Sequence, residues 1–395
     1  MPDVMVTPKG ARRWAAGHPW IYRSDVARAT AATAATDGAP PPGAVLARDV
    51  SGRALGWALW SPRSEISLRL LDSDPTTRID GGWWRARLET AIRRREPLRS
   101  QATAYRLVHG EGDGCPSLVC DRYDRWLVVQ LMSAGLEAFR QPIVEALLAL
   151  AAPDGILARN DAALRTKEGL ARETVVLHGT VPEEVEVVEH GVRYLAAPWR
   201  GQKTGAFLDQ RESRAFVGSI ARGRALDCFS YHGSFALHLA RSAEEVTALD
   251  ISEAALERAA ANVERNGFTN VRLVAANAFD FLRAEEQAGA RYDTIVLDPP
   301  AFAKTRAALP SALRGYKEVN LRAMRLLAPG GLLYTASCSF HLTKPLFLEM
   351  LQAAAADSGR RLALRELRGQ PLDHPELLTV PETGYIKGAL IEAME

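Results

Sequence analysis

The sequence predicts an α/β protein in which a doubly wound, mostly parallel seven-stranded sheet fills the C-terminal half. A small β-rich domain and a central α+β domain precede it. Three observations lead there. From Val192 onward, seven short apolar runs alternate with five helical stretches. The last two runs lack a helix long enough for a crossover, so one strand must be reversed. Three of the runs end in polar loops, ALDCFSYHGSF, VLDPPAFAK and YTASCSF. In an open parallel sheet, loops at the carboxyl ends of the strands build the ligand crevice. Residues 1–72, by contrast, are short apolar alternations broken by Gly, Pro and Asp turns.

A chain of 395 residues is long for one domain, and the pattern divides it at 1–72, 73–195 and 196–395. With 47% apolar and 24% charged residues it carries enough material for a sizeable core. The net charge of +2 does not announce nucleic-acid binding, but its distribution is uneven. Residues 1–100 hold sixteen Lys or Arg against ten Asp or Glu, while the remainder holds 33 against 37. Four scattered cysteines, Cys115, Cys120, Cys228 and Cys338, suit neither a disulfide scaffold nor a zinc site, and no metal is expected. No apolar run is long enough to span a membrane and no signal-peptide core opens the chain. A cytoplasmic protein without a membrane partner is expected, its oligomeric state open, a homodimer included.

Taken in order, KGARRWAAGHPWIYRSDV is a basic, Gly-punctuated stretch carrying Arg12, Arg13, His18 and Arg23. These side chains are either a solvated face or an RNA contact. The Ala/Thr/Pro run from Ala29 to Pro42 reads as a loose surface insertion. PPGAVLARDVSGRALGWALWS and ISLRLL supply strands. A helix follows in WWRARLETAIRRREPL, with Leu88, Ala91 and Ile92 at helical spacing, its arginines largely elsewhere, and Pro97 at its end. Residues 103–196 then read as strand, strand, helix (about Leu136 to Leu150), strand, strand, with turns supplied by the Asp113-Gly114 and Asp121–Asp124 clusters. His109, Glu111 and Asp113 read as turn residues rather than a metal set.

In the C-terminal half the strands are RALDCF, EVTALD, VRLVAA, YDTIVLD, GLLYTAS, LALREL and YIKGALIEA. Asp227 ends the first, and the loop CFSYHG, with Phe229, Ser230 and Gly233, leads into a helix whose free N–H groups face a ligand. Asp250 ends the second strand, where a carboxylate can accept both hydroxyls of a ribose. One glycine in place of G-x-G-x-x-G argues against a dinucleotide. Two acids suit a single-nucleotide-sized adenosyl ligand bearing a charged amino group, namely S-adenosylmethionine, better than they suit N-capping or turn roles. Asn277, after the third strand, is either a contact to the adenine edge or a helix N-cap.

In VLDPPAFAK two prolines fix the loop that carries Asp298. Amine methyltransferases use a related [DN]-P-P-[FYW] loop; here Ala301 takes the aromatic position and Phe302 comes one place later. Phe302 either stacks on a base or packs beneath the loop, and Lys304 is placed to meet a phosphate. Cys338 lies past a buried strand in a loop with Ser337 and Ser339. Carbon 5 of a pyrimidine becomes nucleophilic only after something adds to carbon 6, and a thiolate there is suited to that addition. Asp298 is placed to hold the N3/N4 edge.

The pattern of KG-x-x-R, GHPW and S-x-I-x-x-RLL resembles the RNA-binding PUA domain of a bacterial rRNA methyltransferase family. Over nearly the whole chain, GQKTGAFLDQR (201–211), DCFSYHGSF (227–235), LDPPAFAK (297–304) and SCS (337–339) are similar to the bacterial 23S rRNA 5-methylcytosine methyltransferases. The resemblance implies a class I, Rossmann-like methyltransferase domain behind a PUA-like β-barrel, with 23S rRNA as partner and the basic residues of the first domain in RNA contact. It further implies that Gln202, Lys203, Thr204 and Gly205 help enclose the methionine end of the cofactor, and that Cys338 is the nucleophile. His232 and Ser234 depart from it, since relatives more often carry Thr and Gly there. Two rival functions remain: an RNA amine or ring-nitrogen methyltransferase, and a non-catalytic RNA-binding or assembly factor.

Overall fold

The computed structural model of the chain describes residues 2–30, 40–303 and 305–395. Most of the Ala29–Pro42 insertion (31–39) and Lys304 therefore lie outside the described residues. Contacts divide the chain into two compact units. One comprises Met1–Val187, Ala196–Leu208 and Leu372–Thr383, the other Val188–Leu195, Asp209–Pro371 and Gly384–Glu395.

The first unit opens with β1 (Asp3–Val6), α1 (Pro8–Ala15), β2 (Trp20–Tyr22), β3 (Val26–Thr30), β4 (Gly43–Arg48), β5 (Ala54–Trp60) and β6 (Ile66–Asp72). The strands form one sheet in the order β2-β6-β5-β4-β1-β3. The helix was not expected in so basic a stretch. Thr7 caps it by accepting from the Gly10 N–H at 3.3 Å, and Pro8 pre-sets its first turn. At Gly10 a Cβ would sit 3.3 Å from the Asp25 side chain, a tight fit.

The helix α2 (Gly81–Arg94), capped by Asp80, buries Trp84, Leu88 and Ala91. It packs on a second sheet, β7 (Ala104–His109), β8 (Leu118–Tyr123), β9 (Trp126–Leu131), β10 (Gly155–Asn160) and β11 (Glu173–Gly179), arranged in chain order. The stretch SLVCDRYDRWLVVQLM, in which the Asp121–Asp124 cluster signals a turn, is a hairpin of two strands. Tyr123 pairs with Trp126, and Asp124 takes φ 52° to make the turn. The helix expected from Leu136 comes as two, α3 (Ala134–Glu137) and α4 (Arg140–Ala151), because the chain breaks at Phe139 ahead of Pro142. A short helix, α5 (Leu164–Lys167), follows β10.

Within this unit the Arg95 guanidinium grips Asp113 at 2.6 and 2.7 Å and also donates to the Asp373 carbonyl at 2.9 Å. Asp113 is thus a buried anchor rather than a turn acid. Among the described residues no group of three His, Cys, Asp or Glu side chains is disposed to hold a metal ion. No described helix is long and apolar enough to cross a membrane.

A two-stranded hairpin, β12 (Val185–Glu189) and β13 (Val192–Ala196), precedes α6 (Arg211–Ile220). The second unit is then built on β14 (Arg224–Cys228), β15 (Glu245–Asp250), β16 (Val271–Ala275), β17 (Tyr292–Leu297), β18 (Leu327–Ser337), β19 (Leu362–Arg368) and β20 (Lys387–Ala393). Between them run α7 (Ser234–Leu239), α8 (Glu253–Arg265), α9 (Ala278–Gln287), α10 (Leu309–Leu326) and α11 (Lys344–Ser358). The order is β16-β15-β14-β17-β18-β20-β19, with β20 antiparallel to both neighbours and so the reversed strand. The chain winds outward from β14 in one direction and from β17 in the other. The switch point between them is where a ligand crevice opens beyond the strand ends.

Candidate active site

Asp227 sits on β14 beside that switch point, 1% exposed, and accepts the Ala236 N–H at 2.9 Å. Asp250, at the end of β15, accepts the Tyr231 N–H at 2.8 Å and the Ser252 N–H at 2.9 Å. The loop between β14 and α7 is folded across them. Phe229, Tyr231 and Gly233 all take positive φ, at 65°, 52° and 84°, and Ser230 N–H donates to the Leu249 carbonyl at 2.9 Å. Two non-glycine residues held left-handed within three positions is strain stored at a site. The buried Ser230 hydroxyl has no hydrogen-bond partner among the described residues.

Burial pushes the Asp227 carboxyl well above its usual range, and the charges of Asp298 and Asp250 push it further, against a partial offset from Arg214. Three acids converging on one crevice fit a cationic ligand far better than a phosphate. A sulfonium with an ammonium group has that chemistry, so the residues present fit S-adenosylmethionine. Because the folded state holds the Asp227 proton to higher pH than the unfolded chain, this residue makes stability fall as pH rises across the interval between its two pKa values. Asp227→Asn is therefore expected to keep or raise the unfolding midpoint of the cofactor-free protein at pH 8, while weakening cofactor binding by about tenfold or more. Calorimetric titration and urea unfolding on one sample check both halves.

The second part of the site is a hydrogen-bonded hub on Tyr316, from the buried face of α10. Its hydroxyl lies 2.8 Å from Ser339 Oγ and 3.0 Å from Ser337 Oγ, and accepts the Phe302 N–H at 3.3 Å. Ser339 Oγ also accepts the Ala303 N–H at 3.2 Å. One phenol thus ties the SCS loop to the DPPAF loop, and Cys338 is half-buried between its two anchored serines. Asp298 is fixed separately: Gln210 Nε2 donates to it at 3.0 Å, and the Tyr334 hydroxyl donates to Gln210 Oε1 at 3.2 Å. The other three thiols are buried, and burial pushes Cys115 up to about 12 and Cys228 well above the ordinary range. Removing the hydroxyl by Tyr316→Phe leaves the loops packed but joined only by the Ala303–Ser339 hydrogen bond. Turnover is expected to fall about 10- to 100-fold with cofactor affinity unchanged, as steady-state kinetics and titration would show.

The profile of the S-adenosylmethionine-dependent methyltransferases matches residues 105–379, and that of the PUA-like domains matches residues 4–73. The Ribosomal RNA large subunit methyltransferase I of Aeromonas salmonicida is 40% identical over 386 residues, 95% of each chain. That of Tolumonas auensis is 39% identical over 95% of this chain and 96% of its own. The chain belongs to the ribosomal RNA large subunit methyltransferase I family. It is an S-adenosylmethionine-dependent methyltransferase with an N-terminal PUA-like domain. SMU.776, a candidate methyltransferase solved with SAH, shares the fold at TM-score 0.84 and 20% identity, with both chains fully covered. A candidate SAM-dependent methyltransferase of Streptococcus mutans does so at 0.82 and 20%.

The remaining expected site residues of this family member fall into two groups. In the second unit, Asn277 is exposed and its side chain caps α9 by accepting the Phe279 N–H at 2.9 Å. Phe302 packs its ring 4.6 Å from that of Tyr316, with Phe279 and Phe229 at 6.1 and 6.3 Å. It is part of the wall under the loop, partly open to solvent. In the first unit, the segment from Gln202 to Gly205 is a tight loop in which Gly205 N–H donates to the Gln202 carbonyl at 2.9 Å and Lys203 takes φ 55°. Gly201 is obligatory, since a Cβ would come within 2.6 Å of the Gly205 oxygen. Thr204 is fully buried against Asp121 and Tyr123, so its side chain anchors the loop, whereas Gln202 and Lys203 are exposed.

In the PUA-like domain Arg12 is exposed, while Arg13 bonds Asp25 at 2.9 Å and lies over the Tyr22 ring. Arg23 is ion-paired with Glu65, and His18 Nδ1 accepts the Trp20 N–H at 3.3 Å. Sequence reasoning missed Gln210 and Tyr316. Gln210 was within reach, since it stands in the segment 201–211 that carried the resemblance.

Proposed function

We propose that this protein methylates carbon 5 of a cytosine in large-subunit (23S) rRNA through a covalent adduct of Cys338 at carbon 6. The observation that carries the reading is the tethering, through Tyr316, of the loop bearing a half-buried Cys338 to the loop that follows Asp298, an acid able to hold a base edge. The names of the relatives supply the RNA class, and the PUA-like domain is consistent with it. When bound, S-adenosylmethionine supplies an electrophilic methyl group on a positively charged sulfur.

The residues of the chain perform the rest. The Cys338 thiolate adds its electron pair to carbon 6, and the displaced π electrons make carbon 5 the nucleophile that takes the methyl. Loss of the carbon-5 proton to a base and expulsion of the thiolate restore the ring and the free enzyme. Asp298, held by Gln210, bonds the N3/N4 edge during the addition. Asp227 and Asp250 hold the cationic methyl donor, and the loop from Phe229 to Gly233 closes over it. Reaching carbon 6 requires the cytosine to leave its stack.

The test is rRNA carrying 5-fluorocytosine, incubated with protein and labelled cofactor. Fluorine cannot leave as a proton, so a methylated protein–RNA adduct joined at Cys338 is expected to accumulate. Methylation of ordinary rRNA with no adduct on the fluorinated RNA would move the assignment to a ring or amino nitrogen.

A further inference from the structure

Lys387 opens β20, and its Cα pairs with that of Ser337 across the antiparallel ladder. Its side chain then passes the SCS loop, and Nζ donates to the Ser339 carbonyl at 2.7 Å and to the Tyr385 carbonyl at 2.8 Å. The lysine therefore brackets Cys338, opposing the residue before it and bonding the residue after it. It is 5% exposed, and among the described residues no carboxylate lies within ion-pair distance of it. A buried ammonium satisfied only by neutral carbonyls is unfavourable, and an anion close by would relieve it.

We propose that Lys387 is a positioning residue whose buried positive charge holds Cys338 as a thiolate at neutral pH. This rests on the reading of Cys338 as the nucleophile. Burial pulls the lysine down to about 8, and the charge of Cys338 is what pulls it back up, against the opposing charge of Lys344. At that value the ammonium form still dominates at pH 7. Among the described residues, Lys387 from β20 and Tyr316 from α10 couple to the thiol, and Lys344 at the start of α11 acts on Lys387. Asp298 acts on Asp227 and Tyr334. Tyr316 is itself held protonated, its pKa raised by burial, so it adds no competing negative charge. Lys387 is thus a favourable cation for the thiolate, and it also fixes the loop through the Ser339 carbonyl.

The experiment is iodoacetamide alkylation of Cys338 as a function of pH, read by mass spectrometry of the Cys338 peptide in the full-length protein. The thiolate displaces iodide, so the rate follows the ionised fraction; Cys115, Cys120 and Cys228 are buried. The wild type is expected to titrate below the ordinary thiol value of about 8.5. In Lys387→Met the midpoint is expected to rise by about one unit, an approximately tenfold slower alkylation at pH 7, and Lys387→Arg is expected to restore it.

A merely structural role would scale the rate at every pH and leave the midpoint in place. Equal midpoints in wild type and Lys387→Met would overturn the proposal. So would a wild-type midpoint at or above the ordinary value, which needs no variant to fold. Alkylation requires no RNA. A lysine-dependent midpoint without a trapped 5-fluorocytosine adduct therefore counts against the methylation reading alone, and an adduct with a lysine-independent midpoint counts against this proposal alone.

Discussion

Cys338→Ala is expected to lower methyl transfer to large-subunit rRNA on the order of 10⁴-fold or more, the scale seen when a covalent nucleophile is removed. Cofactor affinity should stay within about twofold. The separation is large because the two jobs sit on different strands. The acids proposed to hold the cofactor, Asp227 and Asp250, lie on β14 and β15, whereas Cys338 follows β18 and its neighbouring serines are held by Tyr316. Cys338→Ser keeps the shape of the loop but substitutes a hydroxyl that is not ionised at neutral pH. It should therefore be nearly as inactive as alanine, and neither variant should form an adduct with fluorinated RNA. Single-turnover transfer of a labelled methyl group, beside a calorimetric cofactor titration, separates the terms. Activity within about tenfold of wild type in Cys338→Ala would show that the methyl does not go to carbon 5 by this route.

What could be read in advance follows from the range of each interaction along the chain. The seven strands of the second unit were legible because each is a local run of apolar residues, and the reversed strand because a crossover has a minimum length. Asp227, Asp250, Asp298 and Cys338 were legible as strand-end residues, whose position alone assigns them to the crevice. Tyr316 was not. It lies in mid-helix with no motif around it, and its role appears only when Ser337 and Ser339 are folded against it.

Lys387 was hidden for a different reason. In YIKGALIEA a charged residue reads as the solvent face of an alternating strand, yet this one is almost fully buried. The turn at Asp124 was legible in the Asp121–Asp124 cluster, but the division of the apolar run into two paired strands was not. The two-helix break at Phe139 was lost because the apolar spacing continues through it. The Arg95–Asp113 grip on Asp373 spans more than 260 positions, beyond the reach of any local pattern.

The largest effect on stability is expected from Arg214→Met. Arg214 on α6 and Glu189 on β12 are 2% and 1% exposed, joined by two hydrogen bonds of 2.7 and 2.6 Å. His238 on α7 bonds the same carboxylate at 3.1 Å, and the Tyr194 hydroxyl donates to it at 3.3 Å. Burial alone would drive the Glu189 carboxyl up. The Arg214 charge, with the bonds from His238 and Arg214, reverses that and holds it well below the usual range. A depressed carboxyl contributes stability that is present above its unfolded pKa and lost as pH falls through the folded one.

Without Arg214 the sign inverts. Glu189 keeps its burial and loses its cation, so the folded state binds the proton more tightly than the unfolded chain. Arg214→Met should therefore cost about 3–5 kcal/mol at pH 8, and less at pH 5. Adding Glu189→Leu should recover much of the loss, because the stranded charge is then gone as well. Urea unfolding of the single and double variants at both pH values tests this. A double variant no more stable than Arg214→Met would mean that packing around the arginine, and not the buried charge, holds α6 and α7 together.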